Sequence, residues 1–271
     1  MKPWRGEGEL EIPAPEGIGY LRFVLRFVGL ALVIFPLMIP MFLARFLGLK
    51  TLSEAVVTLA CKLCLRVVGI RLETRGTPMQ HPGAVVANHA SWLDIFTLNA
   101  VQRAYFVSKA EVSNWPLIGF IARSTGVVFI ERRAADAARQ KDIFLSRISA
   151  GDKLLFFPEG TSTDGLRVLK FRSSLFAAFF EPGLRETMWI QPVAVIYHAP
   201  KGADSRFYGW WGEMDFAPHF MHILGSRRQG RVTIHFADPI RVCDMPNRKV
   251  LADKCEKSVR AAMETSQNFS G

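Results

Sequence analysis

A histidine and an aspartate five residues apart, His89 and Asp94, stand in the stretch Ala84 to Leu98, Ala-Val-Val-Ala-Asn-His-Ala-Ser-Trp-Leu-Asp-Ile-Phe-Thr-Leu. An imidazole held at one nitrogen by a carboxylate keeps its other nitrogen free to take a proton, which makes such a pair a general base. The chemistry it suits is deprotonation of a hydroxyl as that hydroxyl attacks an electrophilic carbonyl. The pair needs a turn in order to meet. Ala84 to Ala87 is a short apolar run entered from His81-Pro82-Gly83, as a buried strand would be, and Ser91 to Leu98 has the spaced apolar residues of a helix. Asn88 and His89 then fall on a strand-to-helix turn, with Asp94 in the helical turn that follows. A helix-start Asn and a core histidine explain the same residues, and on spacing alone that plainer account is favoured.

The elements that must position this turn alternate. Strands are predicted at Gly69 to Thr74, Tyr105 to Lys109, Val127 to Ile130, Lys153 to Phe157, Ile190 to Tyr197 and Arg231 to Phe236. Helices are predicted at Ile118 to Ser124, Ala134 to Ser149, Ser173 to Phe180 and Asn247 to Glu264, with Gly151 as a stop signal. This order implies an α/β fold, a mostly parallel sheet flanked by helices, with sites gathering at the carboxyl ends of strands. His89 and Glu159 both fall at such ends.

Ahead of this catalytic region, residues 70–271, lie two others. Residues 1–19 carry Glu7, Glu9, Glu11 and Glu16 among Gly and Pro, which reads as a loose polar tail rather than a secretory leader. Residues 20–69 read as a membrane-anchoring helical pair. Phe27 to Ala44 is 18 uncharged, mostly apolar residues; as a helix it would reach ~27 Å, just short of a ~30 Å hydrocarbon core. Pro36 and Pro40 should break or kink it, so a pair dipping into one leaflet fits better than a span. Thr51 to Val68, with Ser53 as N-cap, is the second arm.

The 271 residues are ample for one catalytic domain with an added segment, and 34 Lys and Arg against 24 acidic residues give a net charge of +10 in a chain 49% hydrophobic. Basic and apolar together point to an anionic membrane surface or an acidic soluble partner; without a binding module or a dense basic stripe, nucleic acid is not expected. Cys61, Cys64, Cys243 and Cys255 form no disulfide framework, and Cys61-Lys-Leu-Cys64 reads as core thiols of a helix. Asp215, His219 and His222 contain a His-x-x-His pair without a fourth ligand, which favours a loop or helix face over a metal site.

Asn88-His89-x4-Asp94 together with Phe157-Pro158-Glu159-Gly160-Thr161 is far more specific than either piece. The combination resembles the glycerolipid acyltransferases, the lysophosphatidic acid acyltransferase family. The likeness continues through Lys109, Pro116-Leu117-Ile118-Gly119, Gly126 to Arg132 and Pro192-Val193, so it covers about Gly83 to Val195 in order and spacing. What it implies is transfer of a fatty acyl group from an acyl carrier protein or coenzyme A thioester to a lysolipid hydroxyl. No cofactor or metal is implied, the thioester being a co-substrate, and the implied setting is the cytoplasmic side of a bacterial inner membrane. His89 and Asp94 would be the catalytic dyad and Glu159 an acceptor-site residue, with Lys109 and Arg132 also on the substrate side. No G-x-S-x-G elbow is present and no protein nucleophile is needed. The oxyanion needs donors, for which the Gly160 and Thr161 N–H groups are candidates.

One departure bears on the acceptor. Family members that use a phosphate acceptor carry arginine after Glu-Gly-Thr, whereas this chain has Ser162, then Thr163-Asp164-Gly165. Losing a cation and adding the charge of Asp164 weakens a phosphate site, and with Ser173 to Phe176, Trp211 to Met214 and Pro218-His219 the stretch resembles the subgroup of lyso-ornithine lipid O-acyltransferases. Lysophosphatidic acid stays open as an alternative or additional acceptor, because Arg132, Lys170 and Arg172 could hold a phosphate.

Overall fold

The computed structural model describes residues 4–6, 10, 12–114, 118–130 and 137–268. Its strands are β1 (Arg71–Arg75), β2 (Gly83–Ala87), β3 (Tyr105–Lys109), β4 (Val128–Ile130), β5 (Lys153–Phe156), β6 (Trp189–His198), β7 (Arg231–Phe236) and β8 (Ile240–Arg241). They form one sheet in the order β1-β7-β6-β2-β5-β3-β4, with β8 beside β6; only the β6–β7 and β6–β8 pairings are antiparallel. The helices are α1 (Ile18–Phe46), α2 (Lys50–Val68), α3 (Asp94–Val101), α4 (Ile118–Ser124), α5 (Ala137–Ser149), α6 (Phe216–Gly225) and α7 (Arg248–Asn268).

β2 is apolar throughout because both of its faces are covered. Val85 and Ala87 join a core with α1, α2 and α3, while Ala84 and Val86 join one with α5 and α7. The strand begins where backbones nearly touch: a Cβ on Gly83 would lie 1.9 Å from the Trp189 carbonyl oxygen, so only glycine fits. Pro192 sits inside β6 without breaking it. Its carbonyl accepts from Ala237 N–H at the gap between β7 and β8, and its ring nitrogen faces that gap rather than a ladder bond.

The helical pair differs from expectation. α1 runs through Pro36 and Pro40 for 29 residues, ~44 Å, with both rings on its exposed side. α2 begins at Lys50, not after Ser53, and has no side-chain cap. α1 is long and apolar enough to cross a membrane, yet both of its ends are tied to the α/β part of the chain that follows it. Near its start, Arg22 donates to Gly225 O (3.1 Å) and Arg26 to Leu224 O and Ser226 O (2.8 and 2.7 Å). Those carbonyls precede β7, at the end of the sheet where β2 and β5 finish. At the other end, Arg45 donates to Ser124 O and Lys50 pairs with Asp152, next to the starts of β4 and β5. α1 therefore lies along that part, and its outward side, from Ile18 to Phe46, is studded with exposed Leu, Ile, Val and Phe; Ile95 of α3 and Phe120 of α4 are exposed as well.

Three further elements differ. Ser173–Phe180 is a run of 3₁₀ turns rather than an α-helix. Phe176 and Phe179, three residues apart, both pack on Phe156, with ring centroids 5.4 and 5.6 Å away, and a threefold turn puts such residues in line. α6 is the helix that was one of two placements expected around His219, but it buries that residue fully, and β8 is a strand where none was expected. Cys61 and Cys64 lie buried in α2, and burial pushes both thiols up to about 12, so they serve as core side chains.

Candidate active site

β2 hands the chain to the His89 turn through Asn88, whose buried amide stands in for a peptide group. It donates to Val195 O (2.9 Å) and accepts from Val195 N–H (2.8 Å), prolonging the β2–β6 pairing by one residue. The turn then closes on Asp94, the first residue of α3, where a carboxylate also meets the positive end of the helix. Its Oδ2 accepts from His89 Nδ1 (2.7 Å), Ala90 N–H (2.9 Å) and Ser91 N–H (3.1 Å), and its Oδ1 accepts from the Tyr197 hydroxyl (2.8 Å). Asp94 is fully buried, whereas 24% of the His89 side chain is exposed. The Asp94 bond assigns the proton to Nδ1, which leaves the lone pair on Nε2. The ring is kept in plane by Phe157, stacked 4.0 Å away at 9°.

Tyr197 went unrecognised in the sequence. Burial beside Asp94 pushes its phenol well above the ordinary range, so it stays a donor to the carboxylate. The signal that could have found it is period two: Val193, Val195 and Tyr197 share one face of β6, and a residue with a polar tip in that row needs a partner.

Glu159 follows β5 in a turn closed by Gly160, at φ 76°. Its carboxylate is buried and spans two backbones, Oε2 accepting from His89 N–H (3.1 Å) and Oε1 from Leu169 N–H (3.0 Å). Neither a helix cap nor an arginine partner accounts for it. The same loop reaches the other side of His89, since Thr163 N–H and Oγ1 donate to the His89 carbonyl (2.9 and 3.2 Å), and Trp210 N–H donates to the Ala90 carbonyl (2.8 Å). Burial raises Glu159 to about 8 against the lowering effect of its two N–H bonds. A carboxyl raised in the native state binds its proton there first, so its contribution to stability is full below about pH 4.5 and is lost as pH rises to about 8. Glu159→Gln offers one acceptor and one NH₂ to two N–H donors. We expect it to cost about 1–3 kcal/mol and to flatten the stability loss between pH 5 and 8, both read by urea unfolding at the two pH values. An unchanged slope would show that Glu159 does not titrate in that window.

The remaining substrate-side residues are less uniform than their motif suggests. The Gly160 N–H is taken by the Phe157 carbonyl (3.0 Å), so of the two oxyanion candidates Thr161 is the one that remains. Asp164, whose charge seemed to oppose a phosphate, is buried and paired with Arg167 at 3.0 Å. Arg172 donates from Nε to the Glu159 carbonyl at 3.1 Å and is otherwise exposed. Ser162 is half-buried between Thr161 and Thr163. Lys109 ends β3, opposite Ile130 and at the same end of the sheet as His89, and Arg132 and Pro116 lie outside the described residues. His219 is a core residue that accepts from Trp92 Nε1 (3.0 Å), and burial holds it down at about 4, hence neutral.

With that geometry in hand, comparison with known proteins is decisive for the family. A family model described as Acyltransferase matches residues 69–196, which runs from the end of α2 through most of β6. The lyso-ornithine lipid O-acyltransferase of Rhodobacter capsulatus is 48% identical over 96% of both chains, and that of Brucella abortus is 36% identical over 76% of this chain and 80% of its own. In fold, the crystal structure of the 1-acyl-sn-glycerophosphate acyltransferase from Thermotoga maritima superposes with a TM-score of 0.67, covering 92% of this chain and 95% of that one at 19% identity. The chain belongs to the acyltransferase family and is an enzyme that transfers acyl groups.

Proposed function

We propose that this enzyme acylates the free hydroxyl of a lysolipid, that the acceptor is lyso-ornithine lipid, and that His89 and Asp94 carry the chemistry. The observation that carries it is the 2.7 Å bond from Asp94 to His89 Nδ1, which leaves Nε2 as the base. Nε2 takes the proton of the lipid hydroxyl while its oxygen attacks the thioester carbonyl. The imidazolium so formed is stabilised by the Asp94 carboxylate, and it returns the proton to the thiolate as the C–S bond breaks. Glu159, Thr163 and Asn88 act by holding the main chain on either side of His89. The donor is an acyl carrier protein or coenzyme A thioester, and an acidic carrier suits a chain of net charge +10.

The apolar outward side of α1, tied at both ends to the domain, sits in one leaflet of the membrane with its axis in the membrane plane. The setting is the cytoplasmic side of a bacterial inner membrane. Lysophosphatidic acid is kept as a second acceptor on one observation: Arg167 cancels the charge of Asp164, so a phosphate is not repelled there. Purified protein floated with anionic vesicles and supplied with an acyl thioester should acylate lyso-ornithine lipid faster than lysophosphatidic acid offered alongside. Acylation of the phosphate lipid alone would refute the acceptor, and failure to float with vesicles would refute the anchoring.

A further inference from the structure

The segment before α1, expected as a loose tail, lies on the catalytic domain where its described residues can be followed. Trp4 N–H donates to Thr161 Oγ1 (3.3 Å), and its indole lies 6.3 Å from that of Trp211 and 5.1 Å from the Arg167 guanidinium. Arg5 pairs with Glu213 at 2.8 Å. The approach is close: at Gly6, φ 67°, a Cβ would stand 2.9 Å from Trp211 Nε1. Both stretches that this strap touches are those that hold the His89 turn. Thr161 is two residues before Thr163, which binds the His89 carbonyl, and Trp211 follows Trp210, which binds the Ala90 carbonyl. The strap thus lies against the two stretches that hold the His89 turn.

The surface it forms with them carries aromatic rings and both signs of charge. It offers two indoles tilted at 53° and, beside them, the Arg5–Glu213 pair, 78% and 73% exposed; the Arg167 and Arg206 guanidinium groups near the two rings are paired with Asp164 and Asp204. An ion pair so exposed contributes little to stability. A zwitterion can replace it without any change in net charge, its carboxylate going to Arg5 and its ammonium to Glu213 and an indole face. A phosphate monoester, carrying no cation, would leave Glu213 opposed to its own charge.

We propose that Trp4, Arg5, Trp211 and Glu213 form a head-group site that takes a zwitterionic amino-acid head group with a free carboxylate and a free ammonium. This rests on the acceptor assigned above and adds to it the residues that select that acceptor. The test uses the full chain in vesicles with an acyl thioester and three acceptors: lyso-ornithine lipid, its N-acetyl form lacking the ammonium, and its methyl ester lacking the carboxylate. The wild type should lose roughly tenfold in kcat/KM on each blocked acceptor. Glu213→Gln should abolish the penalty for N-acetylation alone, and Arg5→Gln the penalty for esterification alone, with melting midpoints unchanged because both side chains are exposed. If both variants keep the wild-type penalties, or the wild type penalises neither blocked acceptor while still using lyso-ornithine lipid, the site is overturned and the acceptor stands. If the wild type uses lysophosphatidic acid and not lyso-ornithine lipid, the acceptor fails and the site with it.

Discussion

His89→Ala is expected to lower acyl transfer by at least about 10³-fold while the protein stays folded. A positioned general base contributes roughly 10²–10⁴-fold, and in the proposed mechanism, which uses no protein nucleophile, His89 is the group that turns a neutral lipid hydroxyl into an attacking one. Folding should survive because the turn is held by the main chain of His89, through Glu159 at its N–H and Thr163 at its carbonyl, and alanine keeps both bonds. What is lost is the stack on Phe157, worth about 1 kcal/mol, and the Nδ1–H bond to Asp94, worth about 1.5–3 kcal/mol, while Asp94 keeps its bonds from Ala90, Ser91 and Tyr197. Single-turnover transfer from a labelled acyl thioester, read beside a thermal melt, decides it. Turnover within tenfold of wild type in a normally melting variant would remove His89 from the mechanism.

The contact of His89 with Asp94 and most of the sheet could be read from residue order because the determinants are local. Strands covered on both faces are apolar runs, and Asn88-His89-x4-Asp94 sits where one of them stops. What escaped depends on residues far apart in sequence. Tyr197 reaches Asp94 across 103 positions, and Trp4 reaches Thr161 across 157. Period two along β6 turns Tyr197 inward, but no short window names the partner it meets. Asp164 was misjudged for a related reason: its charge was counted, but its partner Arg167, three residues on, counts only once the loop folds back. The prolines of α1 were given their helix-breaking weight, yet a helix packed along its length on α2 and α6 and tied at both ends can absorb the two missing N–H groups. Gly160 as an oxyanion donor failed because the tight turn that exposes the motif uses that N–H to close itself.

Asp94→Asn should separate the electrostatic task of this residue from its structural one. The asparagine oxygen can sit where Oδ2 is and keep the bonds from His89, Ala90 and Ser91. Its NH₂ then faces Tyr197, whose phenol can turn its hydrogen away and accept. Every buried polar group keeps a partner, so the stability loss should be about 1–2 kcal/mol. The negative charge beside the developing imidazolium is gone, however. Two unit charges about 4 Å apart attract by about 4 kcal/mol at an effective dielectric of 20, which corresponds to roughly a thousandfold in rate. Asp94→Ala removes the acceptor altogether and strands the Ala90 and Ser91 N–H groups and the Tyr197 hydroxyl in the interior. Its cost should be about 3–5 kcal/mol in stability, in addition to the catalytic loss. Urea midpoints and kcat for the two variants therefore move apart: both lose catalysis, and only Asp94→Ala loses much stability. If Asp94→Asn keeps wild-type kcat, the carboxylate orients the turn without assisting the proton transfer. If Asp94→Ala is as stable as Asp94→Asn, the four bonds drawn to this carboxylate do not hold the turn together.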